Sequence, residues 1–158
     1  MVRSPRWVLV LATVVALGCG RSPERIAADR QAVESLLADY ARLMSEAYTS
    51  GDTAALARVA TGREVARVAS RIRELADQGR GLRPVLKRQV VESVESYSAT
   101  GATATTIETW DLRVVALGSE TTVLDSPGQE NRLVYSLVRE GGRWWVLSRL
   151  LKSSSEAP

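Results

Sequence analysis

Apolar residues from Ile26 onward fall at Val33, Leu36, Leu37, Tyr40, Leu43, Ala47 and Tyr48, the three-and-four spacing of one helix face. Ser22-Pro23-Glu24 precedes the run with a cap, a proline suited to the first turn and an acid that favours the positive end of the helix dipole. Ser50-Gly51-Asp52 closes it. A helix of this length extends about 40 Å, enough to span a small domain. Asp52 then caps a short second helix carrying Leu56 and Val59. Thr61-Gly62-Arg63-Glu64 fits a capping box, and Val65, Val68, Ile72 and Leu75 make the apolar stripe of a third helix. Gly79 to Gly81 stops that helix, and Pro84 forbids its resumption.

Beyond Pro84 the pattern turns to alternating, β-branched residues, which predicts four strands: Leu86 to Tyr97, Ala102 to Leu117, Arg132 to Glu140 and Arg143 to Leu151. Gly141-Gly142 reads as a two-residue hairpin turn. Strict alternation from that turn sets Arg139 opposite Trp144, Leu137 opposite Val146 and Tyr135 opposite Ser148. One face then carries Leu133, Tyr135, Leu137, Trp144, Val146 and Leu150, the other Val134, Ser136, Val138, Trp145, Leu147 and Arg149. The more aromatic first face is expected to meet the helices. On the second strand Trp110, Leu112 and Val114 turn inward, and Thr109, Asp111 and Arg113 outward. Ser119 to Asn131 reads as a loop and Lys152 to Pro158 as a disordered tail.

The N-terminus has another character. Arg3 and Arg6 precede a run from Trp7 to Leu17 that is apolar or small except for Thr13, and Gly18-Cys19 closes it. The run is about half the ~20 residues that a membrane-spanning helix needs, so a cleaved signal peptide is expected over residues 1–18. Val15-Ala16-Leu17-Gly18-Cys19 resembles a lipobox, in which the cysteine sulfur is acylated before cleavage; Ala16 and Leu17 stand in the reverse of the commonest order. Cys19 is the expected lipidation site. Several acyl chains hold a protein far more firmly than one myristoyl group. The expected organisation is a tether over 19–23, a domain over 24–151 and a tail over 152–158. The expected location is a bacterial membrane face after export, the outer membrane if the organism is Gram-negative, because Gly20 rather than aspartate follows the anchor.

The formal charge of +3 comes from 21 basic and 18 acidic residues, but the leader holds two of the arginines, so the mature chain is close to neutral and offers no case for nucleic acid. Histidine is absent, which removes the commonest general acid/base, and the one cysteine is spoken for by the anchor. A Cys/His nucleophile pair and a Cys/His zinc site are excluded, and no cofactor is expected. Carboxylate pairs are poorly placed: Glu92 and Glu95 fall on opposite strand faces, and Asp29 and Glu34 have poor helical spacing.

From about Arg30 to Leu151 the chain resembles the IMS domain, or DUF4101 family, within the nuclear transport factor 2-like superfamily. The residues that carry this are Leu56-Ala-Arg-Val-Ala, the basic helix ending in Leu75, Val90-Val-Glu-Ser-Val-Glu, Thr109-Trp-Asp-Leu and the closing Tyr135-Ser-Leu-Val-Arg-Glu-Gly-Gly-Arg-Trp-Trp-Val-Leu. The resemblance implies an α+β cone, N-terminal helices packed on a curved antiparallel four-stranded sheet with a cavity between them, and a binding or scaffolding role without catalysis. Tyr40, Tyr97, Trp110, Tyr135 and Trp144 could line such a cavity or simply form core. Arg63, Arg67 and Arg71 share one helix face and Trp145 sits between Arg143 and Arg149; these are the candidate interface residues, against the plainer reading of a solvated arginine face. The expected partners are the membrane, through the anchor, and an envelope protein or small apolar ligand. An isomerase- or dehydratase-like enzyme would instead need Glu92, Glu108 or Asp111 in an enclosed cavity with a raised pKa.

Overall fold

The computed structural model describes residues 22–155, so the predicted leader and Cys19 lie outside the described residues. Helix α1 (Pro23–Ser50) begins where the Ser22 hydroxyl accepts the Arg25 N–H at 3.3 Å and ends at Gly51, whose φ of 81° places it in the left-handed cap conformation. Its buried side chains include Val33, Leu36, Leu37, Tyr40, Leu43, Ala47 and Tyr48, as the spacing predicts, and Met44 besides, whereas Ile26 at the start of the run is 56% exposed. A short 3-10 turn (Ala54–Arg58) follows, its first N–H (Ala54) held by the Asp52 carboxylate at 2.8 Å, and then helix α2 (Gly62–Asp77). No capping box forms at α2. Thr61 makes no side-chain cap and Glu64 turns into the core, where it is 1% exposed, because its stronger partners lie on α1 and one turn along α2.

Strands β1 (Arg80–Ser96), β2 (Gly101–Ala116), β3 (Thr122–Glu140) and β4 (Arg143–Ser155) form one antiparallel meander in the order β1-β2-β3-β4. The two outer strands, β1 and β4, both pack against α1 and α2, so the sheet curls around the helices. A parallel bridge between Ala60 and Val146, with Thr61 N–H donating to the Val146 carbonyl at 2.9 Å, joins the start of α2 to β4. Inside lies one core of Val33, Leu37, Tyr40, Leu56, Val68, Ala102, Ala104, Trp110, Tyr135, Leu137, Trp144 and Val146.

Three boundaries differ from the sequence reading. β1 starts at Arg80 rather than Leu86: Pro84 is accommodated because β1 is an edge strand, paired only with β2. The expected loop from Ser119 to Asn131 is mostly strand. Pro127 and Gly128 are absorbed in a bulge against Trp110–Leu112, with Gly128 at φ 68° and its N–H donated to Asp111 Oδ1 at 2.8 Å. The expected tail is strand as far as Ser155, because Ser153 to Ser155 pair with Arg132 to Glu130.

The fourth difference matters most for function. Arg139 does face Trp144 and Leu137 faces Val146, but the register slips between Ser136 and Leu137, so Tyr135 lies opposite Arg149 and not Ser148. Leu147 is the extra residue of this bulge. Past a bulge the side chains exchange faces. Arg149 therefore turns inward with its side chain 19% exposed, and Leu150 turns out, 58% exposed. A second slip, between Val114 and Val115, makes Val123 the extra residue on β3; here Val115 is buried and Val114, expected inward, is half-buried.

Candidate functional site

Two carboxylates sit in the core between helices and sheet. Glu108, fully buried on the inner face of β2, accepts at Oε1 from Tyr135 O–H (2.8 Å), Gln89 Nε2 (2.9 Å) and Thr106 Oγ1 (3.1 Å), and at Oε2 from the Trp110 indole N–H (2.9 Å). Alternation on β2 delivers three of these residues: Thr106, Glu108 and Trp110 point the same way. Glu64 on α2 accepts from Arg67 Nε at 2.7 Å and Arg67 Nη2 at 2.6 Å, and from the Tyr40 hydroxyl of α1. The rings of Tyr40 and Tyr135 meet edge to face with centroids 5.8 Å apart. Two acid clusters thus join through an aromatic contact.

Burial pushes the Tyr135 hydroxyl well above 10.0, with the neighbouring Glu108 charge adding to the shift; burial does the same for Tyr40, where Arg149 partly opposes it and Glu64 adds to it. Both are neutral phenols that ionise near 10.0 in the unfolded chain. Their folded pKa is raised, so their contribution to stability is complete below about pH 10 and is lost as pH climbs from there toward the folded values. The melting temperature should accordingly fall steeply above pH 10. Tyr40→Phe should flatten that fall, read from melting curves between pH 8 and 11.5; an unchanged slope would show that Tyr40 ionises equally easily in both states.

Next to this network, Met44, Tyr48, Leu82, Trp110, Leu112 and Leu133 wall a cavity of about 260 Å³, near the lower end of ligand pockets. Its charged lining is Arg67 and Arg149. Arg149 lies 4.0 Å from Glu64 Oε1, and its guanidinium sits 6.0 Å from the Tyr40 ring centroid. A second cavity of about 240 Å³ shares Tyr48 and Leu82 with the first and adds Ile72, Leu75 and Leu117.

The predicted residues divide as follows. Trp110 lines the first cavity. Tyr40 and Tyr135 are fully buried core, and Trp144, 4% exposed beneath the Arg139 guanidinium at 5.4 Å, borders a groove on the other side of α1 with Leu36 and Asp39. Tyr97 is 67% exposed at the β1–β2 turn and lines nothing enclosed. Trp145 is half-buried on the far sheet face under Arg143, whose guanidinium is 4.8 Å from the ring, but the β4 bulge has taken Arg149 from its side. Arg63 is exposed, Arg67 is engaged with Glu64 and Arg71 with Glu74, so the arginine face is largely neutralised by acids of its own helix.

The candidate acids fare differently from one another. Asp111 lies outward, and the Gly128 N–H, helped by Lys87, holds its carboxyl below the ordinary aspartate value, the opposite of a raised catalytic acid. Glu92 pairs with Arg132 at 2.8 Å. Asp29 and Glu34 bond separately to Arg139 and Arg30. Glu64 and Arg149 escaped the sequence reading. For Glu64 a signal existed, since it lies one turn before Val68 on the apolar stripe; for Arg149 none did, because alternation put it outside.

No family model matches the chain, and no curated protein matches it. Among solved structures the chain is similar to the intermembrane space region of the chloroplast protein ARC6, at 18% identity and a TM-score of 0.65, over 84% of this chain and 98% of that one. It is also similar to a putative scytalone dehydratase from Novosphingobium aromaticivorans, at 11% identity and a TM-score of 0.54, over 87% and 93%. The fold is the nuclear transport factor 2-like α+β cone. At such identities the likeness speaks for fold alone.

Proposed function

We propose that this chain is an exported lipoprotein whose IMS-type domain is a non-catalytic binding module held at a membrane face. The observation that carries the reading is the state of the buried acids. Both oxygens of Glu108 and of Glu64 are occupied by side-chain donors, and the charged groups lining the adjoining cavity are arginines. Arginine keeps its proton at any physiological pH, so it binds anions and does not shuttle protons. α1 starts four residues after Cys19, a tether of at most about 14 Å, which keeps the cone close to the lipid surface. The proposed attachment is the acyl group on Cys19, at the end of the stretch that resembles a lipobox; no described helix is long and apolar enough to cross a membrane.

Cell fractionation tests the anchor. The wild-type chain should partition with membranes, and Cys19→Ala should accumulate as precursor or appear in the soluble fraction. Equal membrane partitioning of the two proteins would remove lipidation from the account.

A further inference from the structure

The β4 bulge leaves a guanidinium with nothing to bond. The Arg149 guanidinium has five N–H donors, yet its side chain makes no hydrogen bond to any described residue; its nearest anion, Glu64 Oε1, is 4.0 Å away and already taken by Arg67 and Tyr40. Its side chain is only 19% exposed, and it borders the 260 Å³ cavity. Arg67 spends Nε and Nη2 on Glu64 and borders the same space. Both charged groups on the cavity wall are thus guanidiniums, while the two nearby carboxylates stand behind it, Glu64 bonded to Arg67 and Tyr40 and Glu108 to Trp110 and Tyr135. Most of the remaining wall, Met44, Leu82, Leu112 and Leu133 among it, is apolar, with Tyr48 and Asn131 adding polar atoms. The second cavity shares Tyr48 and Leu82 with the first and is lined further by Ile72, Leu75, Arg80 and Arg83.

A planar, delocalised cation with free parallel donors matches a carboxylate, which it grips through two N–H···O bonds. The apolar walls call for a hydrocarbon body. We propose that this cavity binds a small amphipathic carboxylate, such as a medium-chain fatty acid, with Arg149 gripping the head group and the chain running past Leu82. The inference rests on the binding-module reading and gives it a ligand class. Glu108, bonded by four neutral donors of its own, takes no part in holding the head group.

Calorimetric titration of the full chain carrying Cys19→Ala, which removes acylation in every arm, tests this with octanoate and octanol as probes. Octanoate should bind, and octanol should bind more weakly by about tenfold to a hundredfold, the usual worth of a charge-assisted bond. Arg149→Met should abolish that preference while leaving octanol binding in place, and Arg149→Lys should retain part of it. Melting curves show whether each variant is folded, and Leu82→Trp, which adds bulk to the wall shared by the two cavities and keeps both arginines, should weaken both probes. Equal affinity for octanoate and octanol, octanoate binding unchanged in Arg149→Met, or no binding of either probe would overturn the proposal. Those outcomes leave the membrane-anchored reading to its own fractionation test.

Discussion

Glu108→Ala should destabilise the domain by about 4 kcal/mol, a large part of the 5–15 kcal/mol that holds a domain of this size together. The carboxylate is the common acceptor of four donors, and its loss strands them unequally. Gln89 is half-buried and can turn to water, and the Thr106 hydroxyl can rotate, but the Trp110 indole and the Tyr135 hydroxyl are held by their rings deep in the core. Each buried donor left without a partner costs about 1–3 kcal/mol. Glu108→Gln should cost less, about 1–3 kcal/mol, because its carbonyl keeps the Oε1 position and only the amide NH2 is turned against the Trp110 N–H. Urea unfolding midpoints read both values. A Glu108→Ala protein as stable as wild type would mean that the buried acid is retained at a cost to stability, as functional groups are, and would favour chemistry at Glu108 over the binding reading.

That test bears on how much of the molecule its sequence discloses. Signals set by one or two residues are legible: the Ser22 cap, the Gly51 stop and the Gly141-Gly142 turn, with φ of 57° and 80°, all stand where local geometry puts them. So is parity within an unbroken strand, which places Glu108 on the inner side with Trp110. Parity fails at bulges, because an extra residue depends on the curvature of the whole sheet and leaves no local mark. Arg149, the residue on which the cavity's chemistry turns, reaches the interior through such a bulge. Glu64 was obscured for a different reason: Thr61-Gly62-Arg63-Glu64 satisfies a local motif, but a buried tyrosine and a neighbouring arginine offer the carboxylate more than a backbone amide at the helix start.

The closing hairpin gives the sharpest measure of that distinction. Trp144 lies two residues past the glycine turn and before the bulge, and it is 4% exposed between Val59, Leu36 and the Arg139 guanidinium. Leu150 lies after the bulge. Uninterrupted alternation would bury both side chains on one face; the slipped register buries Trp144 and leaves Leu150 58% exposed. Trp144→Ala should therefore cost about 3–5 kcal/mol, the transfer of an indole plus the cavity it leaves, and its unpaired Nε1 means that no hydrogen bond adds to the loss. Leu150→Ala should change stability by no more than about 0.5 kcal/mol, as for an ordinary surface site. Chemical unfolding of the two variants decides the register directly. A large loss at Leu150 would restore unbroken alternation, return Arg149 to the outer face and leave the cavity without its cation.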